Sequence, residues 1–409
     1  MDLFAGCGGF SEGFRSLSAA LRAGEQAFAT VVAVEFDRAA AATFKANHAD
    51  AEVMCLDIDK FDAYDFEGSV DVITGGPPCQ GFSGLGKEWP HDPRNSLWEQ
   101  YARIVSQVRP KAFVLENVDR FFKSYEYERL LEAVQPGGPL ADYTLAGDIL
   151  NSADYGVPQA RRRAIVIGTH RSVGKSIALP APTHAKEPPP TDGLSLFDAE
   201  PELLPWLPVD SVFDRSAALE ICGTLLPERQ GADNMAGPFH TRELHIGRNP
   251  TALSLARYRA IPAGGNRANL RGVEAEVEGR VVYLGTESWD RHRSGSGDVM
   301  GRLRLGQPSV TIRTEFYKPE KGRYLHPVEH RPITHYEAAL IQSFPETYLW
   351  HGTKIEIARQ IGNAVPVGLA RSVASAIYSG LATGTSNGVG LGSPKRAADL
   401  EGDAWFRSP

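Results

Sequence analysis

The sequence predicts an α/β fold: a doubly wound, mostly parallel sheet joined to a second, smaller domain. Three observations carry that prediction. Short apolar runs alternate with helical patterns through the first 185 residues, most of those runs end on a polar residue, and the rhythm stops at a proline-rich stretch.

Only Met1 precedes Asp2-Leu3-Phe4, so the first strand is expected to be short, and Ala5-Gly6-Cys7-Gly8-Gly9 reads as the turn into a helix. Residues 31–35 (Val-Val-Ala-Val-Glu) and 53–57 (Val-Met-Cys-Leu-Asp) are the next strands, separated by the Ala-rich helical segment Arg38–Asn47. Residues 70–74, 112–116 and 164–168 continue the series, with a helical pattern over 96–107. Pro180-Ala181-Pro182 and Pro188-Pro189-Pro190 then mark a stiff connection, and 205–330 reads as irregular chain with short strands and many Gly and Arg. A helical pattern resumes at Thr334, and 365–377 reads as a buried helix. The expected organisation is therefore a first domain over 1–185 completed by 335–380, a second over 186–334, and a disordered tail over 381–409 rich in Gly, Ser and charge.

With 409 residues and 42% apolar content the chain can bury two cores. No apolar run approaches the ~20 residues that span a bilayer. The four cysteines lie far apart without a C-x-x-C pair, which suggests neither a disulfide framework nor a metal site and fits a reducing cytoplasm. The net charge of -7 argues at first sight against a nucleic-acid partner. It is unevenly spread: residues 1–230 hold 21 basic against 33 acidic side chains, whereas 231–330 hold 15 against 11, and 13 of those 15 are Arg. Arg suits phosphate and guanine edges, but a solvated charged face explains the same numbers, so charge leaves the partner open.

Chemistry concentrates where strands end, because ligands of such sheets bind at the carboxyl edge. The glycines of the first turn let backbone approach a ligand, although their spacing is not the G-x-G-x-x-G of a dinucleotide site. Glu35 can accept from two ribose hydroxyls and Asp57 from an adenine amino group; taken singly, each also reads as a helix N-cap. The ordered series of Gly turn, Glu35 and Asp57 favours a nucleoside site. Gly75-Gly76-Pro77-Pro78-Cys79-Gln80-Gly81-Phe82-Ser83 puts a thiol just past a strand on a proline-stiffened approach, with glycines beyond that allow motion. A thiolate there is a nucleophile. Cys7, Cys55 and Cys222 have no such context and read as inert. Glu116-Asn117-Val118 ends another strand with a carboxyl group that, protonated in a dry pocket, can donate to a ring nitrogen. In Gln159-Ala160-Arg161-Arg162-Arg163, alternation puts Arg161 and Arg163 on one side and Arg162 on the other.

This ordered set, with Gln360-Ile361-Gly362-Asn363-Ala364-Val365-Pro366 and the block from Arg331-Pro332-Ile333-Thr334 to Gln342-Ser343-Phe344-Pro345, resembles the DNA cytosine-5 methyltransferase family. The resemblance covers most of 2–185 and 330–375. It implies the S-adenosylmethionine-dependent methyltransferase fold, with 186–334 as a target-recognition domain. It implies that Cys79 attacks carbon 6 of a cytosine flipped out of duplex DNA and that Glu116 steadies ring nitrogen 3. By the same resemblance Arg161 holds the base oxygen, with Arg163 the lesser candidate. Phe4, Gly6, Cys7, Gly8, Glu35, Phe36, Asp57, Ile58, Pro78, Leu97, Asn363 and Val365 would line the pocket of S-adenosyl-L-methionine, released as S-adenosyl-L-homocysteine. Gln80, Ser83, Arg302 and Arg323 would touch DNA, and no metal is implied. A bacterial modification enzyme of this kind is expected in the cytoplasm or nucleoid, as a monomer, with room for a restriction endonuclease acting separately. Leu56 stands where the family commonly has Gly, and Tyr336 where it commonly has Arg; neither touches the proposed chemistry.

Other readings fit less of the chain. An RNA cytosine methyltransferase shares the pocket, but the long variable region favours a duplex DNA reader. A catalytically silent DNA-binding protein would be expected to lack one of Cys79, Glu116 and Arg161. A nicotinamide dehydrogenase is disfavoured by the glycine spacing.

Overall fold

The computed structural model describes residues 1–18, 26–78, 97–188, 202–231, 234–291 and 297–383. Cys79, Gln80, Ser83 and most of the expected tail lie outside those residues.

The first of two compact units comprises residues up to Gly156, Arg162–Trp206 and the chain from Val365 onward. Its strands are β1 (Asp2–Leu3), β2 (Val32–Glu35), β3 (Glu52–Cys55), β4 (Val72–Gly75), β5 (Ala112–Val118), β6 (Tyr143–Asn151) and β7 (Arg162–His170). They form one sheet in the order β3-β2-β1-β4-β5-β7-β6. The first five run parallel, and β7 is antiparallel to both β5 and β6. The sheet is thus mostly parallel, as expected; β6 has no counterpart among the strands read from sequence. The first strand is indeed short, at two residues.

Both faces of the sheet are covered, which is why its central strands read as near-continuous Val, Ile, Ala and Phe. On one face α1 (Gly9–Ser18) and α5 (Val367–Thr383) bury Phe10, Phe14, Leu369, Val373 and Ile377 against Ala112, Val114, Ile165 and Ile167. On the other, α3 (Leu97–Val108) and α4 (Tyr125–Ala133) bury Trp98, Tyr101, Ile104 and Leu130 near Ile73, Phe113 and Leu115. Each such large apolar side chain contributes about 1.5–3 kcal/mol. Neighbours along β5 alternate between the two cores, as a strand requires. α2 (Arg38–Asn47) starts where Asp37 accepts from the backbone N–H groups of Ala39 and Ala40, each at 3.0 Å. Gly13 sets the closeness of α1 and α5: a Cβ there would lie 2.4 Å from Ala370 Cβ.

The second unit comprises Val157–Arg161 and Leu207–Ala364. The helices His335–Ile341 and Lys354–Asn363 therefore group with it, although the sequence reading returned the chain to the first domain at 335. The stretch read as irregular also holds the helices Asp210–Ala217 and Ala252–Ala260 and the hairpin of Glu274–Val277 with Arg280–Tyr283. A small apolar core gathers Tyr258, Ile261, Leu270, Leu284, Met300 and Leu325. Among the described residues no helix is long and apolar enough to cross a membrane.

Candidate active site

The carboxyl edge of the sheet begins at the turn after β1. Phe4, Gly6 and Gly8 take positive φ values of 54°, 55° and 94°, and the Gly8 N–H donates to Ala5 O at 2.9 Å before α1 starts. Positive φ costs little for Gly and more for Phe4, so the local strain sits on the aromatic residue. A Cβ on Gly6 would meet nothing within 4 Å, so the turn borders open space. Asp2 anchors this turn from below. Its carboxylate accepts from Ser11 Oγ at 2.7 Å and Thr74 Oγ1 at 2.9 Å, and burial pushes its pKa up to about 6. The sequence reading singled out none of these three residues for that role.

Glu35, at the end of β2, accepts from the N–H groups of Gly6 and Asp37, each at 2.7 Å. Burial raises its pKa, against the lowering effect of those bonds. Beside it Phe36 is 73% exposed, an open ring at the mouth of an otherwise buried edge. Asp57 caps the short helix Ile58–Lys60, whose first side chain is buried, and Leu97 packs partly buried against the same core. The Asp57 cap is the structural alternative weighed for it in the sequence, and the residue is only partly buried. Cys7 is buried, and desolvation drives its thiol far above the ordinary range, so it stays protonated and unreactive.

These residues suit a purine nucleoside. An open glycine cradle, a carboxylate with spare lone pairs for vicinal hydroxyls and an exposed aromatic face supply the contacts that a nucleoside with an attached sulfonium needs.

The second cluster lies at the ends of β4, β5 and β7. Glu116 and Arg163 form an ion pair, Nε to Oε1 at 2.8 Å, with side chains only 12% and 14% exposed. A Cβ on Gly76 would lie 2.8 Å from Glu116 Oε2, so that glycine is what lets the carboxylate rest there. Asn117 is buried and donates from Nδ2 to Pro77 O at 3.0 Å, tying β5 to the backbone two residues ahead of Cys79. Pro78 is exposed.

Arg161 does not share that cluster. It belongs to the second unit, is 3% exposed, and donates to the carbonyls of Ile312 at 2.8 Å and Gly362 at 3.0 Å. Of the two arginines, Arg163 is the one whose guanidinium lies beside Glu116. Near Arg161, the buried Gln159 Nε2 donates to Gln342 Oε1 at 2.7 Å and its own Oε1 accepts from Ile312 N at 2.8 Å. Alternation does put Arg162 apart, exposed and 3.9 Å from Asp119. Asn363 is exposed on the second unit, whereas Val365 is buried on the first.

Arg302 and Arg323, expected to touch DNA, are engaged within the second unit. Both are nearly fully buried, and their guanidiniums bind carbonyl oxygens of their own unit. A guanidinium so engaged holds loops together. Among the described residues no group of three His, Cys, Asp or Glu is placed to hold a metal ion.

A family model described as C-5 cytosine-specific DNA methylase matches residues 1–379. The chain is 31% identical over 395 residues to Type II methyltransferase M.DdeI of Desulfomicrobium norvegicum, covering 90% of this chain and 86% of that protein. It is 32% identical over 394 residues to Type II methyltransferase M.XorII of Xanthomonas oryzae pv. oryzae, covering 90% and 82%. Among solved structures, a prophage-encoded protein of E. coli, described as a DNA modification methyltransferase, matches with a TM-score of 0.63. That match has 23% identity over 93% of this chain and 98% of the other, and bears on the fold.

Proposed function

Because the chain belongs to the C-5 cytosine-specific DNA methylase family, we propose that Cys79, Glu116 and Arg163 carry out its transfer of a methyl group from S-adenosylmethionine to carbon 5 of cytosine in DNA. The observation that carries this assignment is the Glu116 carboxylate at the carboxyl edge, held between Arg163 and Gly76, the latter three residues before Cys79 in the sequence.

Carbon 5 of cytosine is a poor nucleophile until carbon 6 gains an electron pair. The Cys79 thiolate supplies it by adding to carbon 6 of the flipped base. Charge then builds on the ring and reaches nitrogen 3, where a carboxyl proton on Glu116 stabilises it. Arg163 orients that carboxyl group and lies where a second donor can meet the base oxygen. S-adenosylmethionine supplies an electrophilic methyl group on a sulfonium and leaves as S-adenosylhomocysteine. Loss of the carbon 5 proton then returns an electron pair that expels the thiolate and restores the ring.

The cofactor is held by the Gly6–Gly8 turn, Glu35 on the ribose, Phe36 and Asp57 on the adenine, and Ile58, Pro78, Leu97 and Val365 as apolar walls. Asn363 is assigned the same pocket on the resemblance of its block alone. Gln80 and Ser83 belong to the loop that closes over the base. The second unit reads the target sequence, and the enzyme acts as a cytoplasmic monomer without a metal. There is room for a companion restriction endonuclease acting separately, a reading supported by relatives named as Type II methyltransferases.

The decisive test is Cys79→Ala. It is expected to abolish tritium transfer to DNA while cofactor binding persists, and surviving transfer overturns the covalent scheme. Duplex DNA carrying 5-fluorocytosine in the target word is expected to trap the wild-type protein in a denaturation-resistant adduct, because fluorine blocks the final elimination.

A further inference from the structure

In the second unit one guanidinium serves four carbonyl oxygens. Arg302 donates to Tyr258 at 2.6 Å, Ile261 at 3.1 Å, and His326 and Glu329 at 2.6 Å each. Arg323 adds bonds to the carbonyls of Gly264, Gly265 and Arg302 at 2.8, 3.1 and 2.6 Å, and its Nε meets Asp298 at 2.8 Å. The end of the helix Ala252–Ala260 and the loop that follows it to Gly265 are thus fixed by two buried, charge-assisted networks. The loop runs into the short helix Arg267–Leu270, closed by Asn266 and Asn269, and the Arg267 N–H donates to Val299 O at 3.0 Å.

Two further guanidiniums border this anchored loop. The Arg304 side chain lies across Gly264, its Cγ 3.2 Å and its Nε 3.3 Å from where a Cβ would stand. Arg304 is exposed and Arg267 partly so. Elsewhere in the unit Arg229, Arg242, Arg271 and Arg291 each face a carboxylate. Among the described residues neither Arg267 nor Arg304 enters an ion pair or a side-chain hydrogen bond. Their donors stay available to an external anion, and a rigid support lowers the entropy lost when one binds. The neighbouring hairpin cannot take that role, because Glu274, Glu276 and Glu278 are exposed along it and would repel phosphate.

We propose that Arg267 and Arg304, displayed on the loop locked by Arg302 and Arg323, bind backbone phosphates of the DNA substrate. This rests on the reading of the chain as a DNA methyltransferase. Such contacts set the orientation of the duplex and carry no base information of their own.

The test measures binding of the full-length protein, with S-adenosylhomocysteine present, to mixed-sequence plasmid DNA over a range of salt concentrations. Arg267→Gln and Arg304→Gln should each lower the slope of log affinity against log salt by about one and weaken binding roughly eightfold near ~0.1 M salt. Thermal unfolding should be unchanged, since neither side chain holds the fold. Arg280→Gln, on the acidic hairpin, should keep the wild-type slope. Wild-type slopes in both loop variants, or an equal fall in the hairpin variant, overturn the proposal. If the wild-type protein neither binds nor methylates that DNA, the methyltransferase reading itself falls, and the proposal with it.

Discussion

Glu116 and Arg163 meet as diagonal neighbours: Glu116 stands opposite Ile165 and Arg163 opposite Val118 in the antiparallel register of β5 and β7. Diagonal side chains on one face of a sheet come within reach of each other when they are long, which this pair is. Arg163→Ala should therefore leave Glu116 without its orienting partner. Methyl transfer is expected to fall about 100- to 1000-fold, equivalent to about 3–4 kcal/mol of lost transition-state stabilisation. Single-turnover kinetics with a cofactor-binding titration checks this, and a change in cofactor affinity alone would contradict it.

Arg161→Ala should behave differently. It strips two buried carbonyls of their donor and is expected to cost about 2–4 kcal/mol of stability in the second unit. Denaturant unfolding measures that loss. A stable Arg161→Ala protein with dead chemistry would return Arg161 to the base.

Gly76→Ala adds one methyl group 2.8 Å from Glu116 Oε2. Either the carboxyl group or the strand end must shift, so turnover should drop at least about tenfold, since misplacement by about an ångström has that scale of effect. Cofactor affinity should hold, because Gly76 is not among the residues assigned to that pocket. Comparing kcat with the dissociation constant of S-adenosylhomocysteine separates the two.

Acid should weaken the second unit through His335. Burial lowers its pKa to about 4, and with no proton to spare its Nε2 donates to Lys354 O at 2.8 Å. In the unfolded chain the ordinary value is 6.5. Above that value both states are neutral and the stability is fully present. As pH falls from 6.5 towards 4 the unfolded chain gains a proton that the folded one refuses, and stability is lost. The loss attributable to this residue is about 2 kcal/mol between pH 7 and pH 5. Urea unfolding of wild type and His335→Gln at both pH values tests it, the variant being expected to show a shallower dependence. His326, in the same unit and also lowered to about 4, keeps that dependence from vanishing.

Strands β2, β4, β5 and β7 were legible because they are buried on both faces and read as unbroken apolar runs. β6 escaped notice because it lies at the sheet edge, and only Tyr143 and Leu150 among its nine residues are buried. Glu116 was legible from its place at a strand end, but the choice between Arg161 and Arg163 was not. Alternation gives the side of the strand; it does not reveal that Ile312 O and Gly362 O, 151 and 201 residues further on, claim one of the two guanidiniums. The burial of Arg302 and Arg323 was hidden for the same reason, since a buried arginine bonded to carbonyls has the same letter as an exposed one. Gly76 beside Glu116 could have been suspected from the doubled glycine before Pro77, which is one more than a turn requires.

The contact of Gly13 with Ala370 has a consequence for biosynthesis. The helix α5, which packs with Phe10 and Phe14 on one face of the sheet, is made only once synthesis passes residue 367. At roughly 5–20 residues per second, the nascent amino-terminal half waits tens of seconds with Phe10 and Phe14 uncovered. A ribosome stalled before codon 367 should thus leave a product that chaperones retain, while synthesis through α5 lets that exposed face close.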